Sequence, residues 1–233
     1  MFKFKLAGLA ICASVLALVS CSSSDDGETQ ENFGESTGDY FPMAYNNVWQ
    51  YDDGSMTSSV SLGMPVTMGG VDYFGMTDTS VAENIPVSIA KRGAAYIERA
   101  HEITVPVGNG FSIKIPTYDV IILRDDLGVG ESWTRSLEIT IKLTGNGQTQ
   151  NLPATIDYTG TILERDATEV IGPLTFNEVI KTSISLSQEI NGQVTEINSE
   201  NWFAKNVGII KSVTHTSIDN ATTTRYLYDY SLN

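Results

Sequence analysis

The sequence predicts an all-β or β-rich α+β fold whose strands pair antiparallel. Three observations carry that expectation. Thr, Ile and Val supply 22, 20 and 15 of the 194 residues from 40 to 233, and β-branched side chains favour strands over helices. Several runs alternate apolar and polar residues, the period of a strand with one face buried. Gly and Asn sit between those runs, where tight hairpins need positive φ.

The clearest run is Leu137-Glu138-Ile139-Thr140-Ile141-Lys142-Leu143, with Leu and Ile on one face. Ile156, Tyr158 and Ile162 keep one phase against Asp157, Thr159 and Thr161. Ile180, Ile184 and Leu186 oppose Lys181, Ser183 and Ser185, and Tyr226, Tyr228 and Tyr230 alternate near the end. Gly108-Asn109-Gly110 separates 103–107 from 111–115, and Gly145-Asn146-Gly147 follows the 137–143 run. Asn191-Gly192 parts 180–190 from 194–203, and Asp219-Asn220 precedes the last strand. Consecutive hairpins of this kind give an antiparallel sheet with one face buried and one wet. The best helix candidate starts at Ser80, where Ser80-Val81-Ala82-Glu83 resembles a capping box and Pro86 ends it.

The N-terminus reads differently. Lys3 and Lys5 precede a 13-residue apolar stretch from Leu6 to Leu18, shorter than the ~20 residues a spanning helix needs. Residues 1–20 therefore read as an export signal. Leu18-Val19-Ser20-Cys21 resembles a bacterial lipobox, which makes Cys21 the lipidated first residue of the mature chain. Two or more acyl chains anchor stably where one binds only marginally. Residues 21–39 carry six acids, no base and one large apolar residue, Phe33, so they are expected to form a flexible acidic tether. The Ser/Asp-rich start of this stretch resembles the signal that sends Bacteroidetes lipoproteins to the outer face of the outer membrane. Residues 40–233 are expected to fold as a single β-rich domain.

A formal net charge of −14 repels phosphate backbones and argues against nucleic acid as a partner. Both Cys lie within the first 21 residues, which leaves no thiol for a disulfide or zinc site in the body.

Four patterns resemble a group of uncharacterised lipoproteins of Bacteroidetes-type bacteria whose fold is similar to the LolA/LolB carriers. They are Tyr40-Phe41-Pro42 with Asn47-Val48-Trp49-Gln50-Tyr51; Val129-Gly130-Glu131-Ser132-Trp133; Gly172-Pro173-Leu174-Thr175-Phe176-Asn177-Glu178-Val179; and Trp202-Phe203-Ala204-Lys205-Asn206-Val207-Gly208-Ile209-Ile210-Lys211. Asn46, Leu174 and Asn206 stand where that group usually has Gly. The resemblance implies a strongly curved antiparallel sheet forming an unclosed barrel, and a lipoprotein of the bacterial outer membrane. It brings no catalytic residues with it.

Nothing in the body points to catalysis. His101 and His215 are the only imidazoles and have no His or Cys at ligand spacing. Asp52-Asp53-Gly54 and Asp125-Asp126-Leu127-Gly128 read as turns, without EF-hand spacing. No nucleophile elbow, Walker loop or His-Glu-x-x-His occurs. The expectation is a membrane-anchored lipoprotein without catalysis, cofactor or metal. Its aromatics, Trp49, Tyr51, Trp133, Trp202, Phe203, Tyr226, Tyr228 and Tyr230, either line a half-barrel that holds a lipophilic ligand or form the core. A chain with a filled interior would instead dock a surface partner, protein or glycan.

Overall fold

The computed structural model describes residues 33–80 and 86–233. The export signal, Cys21, the first part of the tether and residues 81–85 of the helix candidate lie outside them.

The described residues form fourteen strands and no helix. They are β1 (Val48–Asp52), β2 (Thr57–Met68), β3 (Val71–Asp78), β4 (Val87–Arg92), β5 (Ala95–Ala100), β6 (Ile103–Gly108) and β7 (Phe111–Ile115). The chain continues through β8 (Tyr118–Arg124), β9 (Ser132–Gly145), β10 (Gln148–Ile171), β11 (Leu174–Ile190), β12 (Gln193–Ala204), β13 (Gly208–Thr216) and β14 (Ala221–Ser231). All pair antiparallel in one open sheet, ordered β6-β7-β9-β10-β11-β12-β13-β14-β1-β2-β3-β4-β5-β8. The barrel is not closed, because no ladder joins the two edge strands, β6 and β8.

Turn chemistry sets the hairpins. Asn109 and Gly110, Asn146 and Gly147, and Asn191 and Gly192 all have positive φ, the geometry whose twist matches the flanking strands. Asn46 and Asn206, at two of the three positions where the resembled group usually has Gly, have φ of 68° and 61°. Asn tolerates the left-handed region, so the turn survives the replacement.

Two departures from a simple meander shape the molecule. The β6–β7 hairpin falls between β5 and β8 in sequence but joins the opposite edge of the sheet, with β7 pairing to β9 at 112–114 and 142–144. The β10–β11 hairpin is long, and its register shifts between Ile162 and Glu164, Glu164 and Ala167, and Ala167 and Glu169. Such bulges bend a hairpin, and its tip comes to lie beside β13 and β14.

Residues 33–39, assigned from composition to the tether, lie against the sheet. Phe33 is buried, with the guanidinium carbons of Arg92, Arg124 and Arg135 5.3, 5.4 and 5.8 Å from its ring centre. The Ser36 hydroxyl donates to Asp125 Oδ2 at 2.6 Å and the Thr37 N–H to Asp125 Oδ1 at 3.0 Å. The Tyr40 N–H donates to the Tyr96 hydroxyl at 2.7 Å, and Phe41 packs on Trp49. Composition misses this strap because a single aromatic and a few hydroxyls hold it, through partners distant in sequence.

Candidate functional site

The aromatic residues separate into two sets. Trp49, Tyr51, Trp133 and Phe203 are buried on the inner face of the sheet. The Trp49 Nε1–H donates to the Val207 carbonyl at 2.6 Å and the Tyr51 hydroxyl to the Ile209 carbonyl at 2.8 Å. These side chains fill the interior together with Ile89, Ile156, Ile162, Ile180 and Leu227. They are core, and the polar atoms of Trp49, Tyr51 and Trp133 are satisfied inside the fold.

Trp202 belongs to the other face. Lys181, Trp202, Lys211 and Tyr226 are successive cross-strand partners from β11 to β14, and such partners share a face. Trp202 is buried between two lysines, whose ammonium nitrogens stand 4.7 Å (Lys181) and 4.1 Å (Lys211) from its ring. Tyr226, Tyr228 and Tyr230 are 42%, 43% and 38% exposed, while Leu227 between them is fully buried. Trp202 and Tyr228 therefore do not line the inner face, as the half-barrel reading of the sequence required.

The inner face also carries charge. Arg225 on β14 donates to Asp78 Oδ2 at 2.8 Å, and its guanidinium stands 4.8 Å from the Tyr51 ring centre. Burial raises the Asp78 pKa, but Arg225 and hydrogen bonds from Ser80 outweigh it and hold the carboxyl below its usual range. Glu98 on β5 is buried and its Oε2 has no hydrogen-bond partner among the described residues. Burial pushes its pKa well up, against a smaller lowering by Arg225. A Glu inside Ala-Tyr-Ile-Glu-Arg-Ala, a strand buried on both faces, was the signal that could have located this group from sequence.

The two acidic turns differ. Asp125 is fully buried and holds the strap, its carbonyl also accepting from Arg165 Nη1 at 2.7 Å. Asp126 pairs with Arg124 at 2.7 Å. Asp52 and Asp53 stay at the surface as an Asx turn: the Gly54 N–H donates to Asp52 Oδ1, and Ser55 and Met56 N–H groups to Asp53 Oδ1. The hydrogen bonds from Met56 and Ser55 hold the Asp53 carboxyl below its usual range. The Ser88 hydroxyl and His101 Nε2 are 2.9 Å apart, and burial lowers the His101 pKa. His215 Nδ1 lies 3.1 Å from the Thr222 hydroxyl. Neither imidazole belongs to a group of side chains able to hold a metal ion among the described residues.

The bent hairpin tip makes a groove of about 460 Å³ on the outer face. One wall is Glu169, Val170 and Pro173; the other is the Asp52–Gly54 turn with Lys211, Tyr226 and Tyr228. The Tyr228 hydroxyl donates to Gln50 Oε1 at 2.7 Å, which fixes its ring. Sequence reasoning recognised these tyrosines but not the wall facing them, since that wall exists only because the hairpin is bulged. Another depression, of about 620 Å³, lies beside the strap between Phe33, Met43, Phe74 and Arg92.

No protein-family model matches the chain, and no curated protein matches it. Two solved structures are similar. One is a "putative lipoprotein" from Parabacteroides distasonis, 10% identical with a TM-score of 0.49, covering 84% of this chain and 100% of its own. The other is a "putative exported protein with YmcC-like fold" from Bacteroides fragilis, 10% identical with a TM-score of 0.46 and the same coverage. Neither is described as a LolA or LolB carrier.

Proposed function

We propose that the chain is a lipid-anchored interaction module that docks a partner on its outer surface, without carrying a lipid inside. The observation behind this reading is the occupied interior: Trp49, Tyr51, Phe203 and their aliphatic neighbours take the space an acyl chain would need. Pockets that hold small ligands are mostly apolar cavities of several hundred cubic ångströms. Exposed aromatic groups are left over for recognition, among them Tyr226, which shares the outer face with Trp202, and Tyr228 beside it in the groove. In this reading Cys21 and the export signal before it supply the anchor; the lipobox supports a place in the bacterial envelope, and the resemblance to Bacteroidetes lipoproteins supports the outer membrane.

Native mass spectrometry of the full-length protein, released from micelles after incubation with membrane phospholipids, tests the reading. The expected mass is polypeptide plus covalent acyl groups. Non-covalent lipid that survives release and disappears on organic extraction would restore the carrier and remove the module.

A further inference from the structure

We infer that the groove between the β10–β11 tip and β14 is a carbohydrate site, a statement that rests on the surface-docking reading and names the class of its partner. The argument starts from what the groove leaves unused. Lys211 is held by the rings of Trp202 and Tyr226, at 4.1 and 5.6 Å, and has no carboxylate partner among the described residues. The Tyr226 hydroxyl and the Glu169 carboxylate make no hydrogen bond with the described residues. Asp52 and Asp53 each commit Oδ1 to the turn, leaving Oδ2 free to accept. One ammonium and three carboxylates thus border two exposed phenol rings.

That mixture selects the ligand. A cation would meet the Lys211 ammonium, and an anion would meet three carboxylates. A neutral polyhydroxyl compound suits both, because every hydroxyl donates once and accepts twice. The C–H faces of a pyranose stack on tyrosine, a rigid side chain that loses little entropy on binding. The frame is already set: Gln50 fixes Tyr228, Lys211 holds the Tyr226 ring, and the turn fixes both aspartates, so little ordering is left for the ligand to impose. A groove of about 460 Å³ has room for a short stretch of an oligosaccharide.

The experiment is affinity electrophoresis of the full-length protein through gels containing neutral polysaccharides: starch, β-1,3-glucan, xylan, galactomannan and yeast mannan. Retardation by at least one is expected, weakened tenfold or more by Tyr226→Ala and by Tyr228→Ala and little changed by Tyr230→Ala. Both tyrosines are exposed, and Tyr226→Phe, which keeps the ring, should retain most of the retardation. No retardation by any of the five, or retardation that survives the Tyr226→Ala/Tyr228→Ala double variant, overturns the site. Binding of polylysine that Glu169→Gln abolishes would also overturn it, in favour of a cationic peptide. Failure here, with no lipid retained in the mass spectrum, removes the carbohydrate class and leaves surface docking standing. Retained lipid removes the reading beneath both.

Discussion

The Trp133 Nε1–H donates to the main-chain carbonyl of Ile121 at 3.1 Å, bridging β9 to the free edge of β8. From β10 the Tyr158 hydroxyl accepts the Ile121 N–H at 3.1 Å. Two side chains thus take the place of a ladder at one point of the open seam. The geometry needs Gly160, the cross-strand partner of Trp133: a Cβ there would overlap the indole ring. Glycine in a strand weakens it but admits a close approach, and here an aromatic fills the space.

Trp133→Phe should therefore destabilise the protein by about 1–2 kcal/mol, the cost of leaving a buried carbonyl without its donor while keeping most of the packing. Gly160→Ala should cost more, because the ring must leave its place. Urea unfolding followed by far-UV circular dichroism measures both. If Trp133→Phe unfolds at the wild-type midpoint, the bridge contributes nothing to closing the seam.

Asp125 is expected to govern the strap. Asp125→Ala removes acceptors for Ser36 and Thr37 at once, and hydrogen bonds to a charged group contribute about 1.5–3 kcal/mol each. Hydrogen exchange should accelerate at residues 34–41 while the β10–β11 ladder keeps its protection. Phe33→Ala should produce the same pattern more weakly. Equal acceleration throughout the sheet would mean that Asp125 supports the whole fold and not the strap in particular.

Strand identities and most hairpin turns were legible because both are local. The alternation of 137–143 puts Ile141 inside, and Asn191-Gly192 can hardly be anything other than a hairpin turn. The faces of the aromatics were less legible. Trp202 and Phe203 are adjacent, so one had to lie on each side, yet Trp202 is buried on the outer one, with two lysine ammonium groups against its ring. The migration of β6–β7 to the far edge, the docking of 33–39 and the bend that forms the groove all depend on residues far apart in sequence. Periodicity carries no record of such contacts.

The anchor is tested separately from the sheet. Cys21→Ser should move the protein from the membrane pellet to the soluble fraction and abolish incorporation of labelled palmitate, since the proposed attachment would reside in the acyl chains. A Cys21→Ser protein that still requires detergent for extraction would show that something other than this thiol holds it at the membrane.

Glu98 gives a pH signature of known sign. Burial raises its folded pKa above the unfolded value, so between the two the native state holds a proton that the unfolded chain has released. Stability is then fully present below the unfolded pKa, about 4.3, and is lost as pH rises toward the folded pKa. The full slope of one proton is about 1.4 kcal/mol per pH unit. Asp78 acts in the opposite direction at acid pH, because its folded pKa is depressed and its contribution is lost as pH falls. His101, also depressed, contributes stability that is lost as pH falls below about 6.5. Comparing Glu98→Gln with wild type cancels both. The amide cannot ionise, so the stability of Glu98→Gln relative to wild type should rise from pH 5 to pH 8 in thermal unfolding. A constant difference across that range would place Glu98 in contact with solvent or with a partner that keeps it ionised.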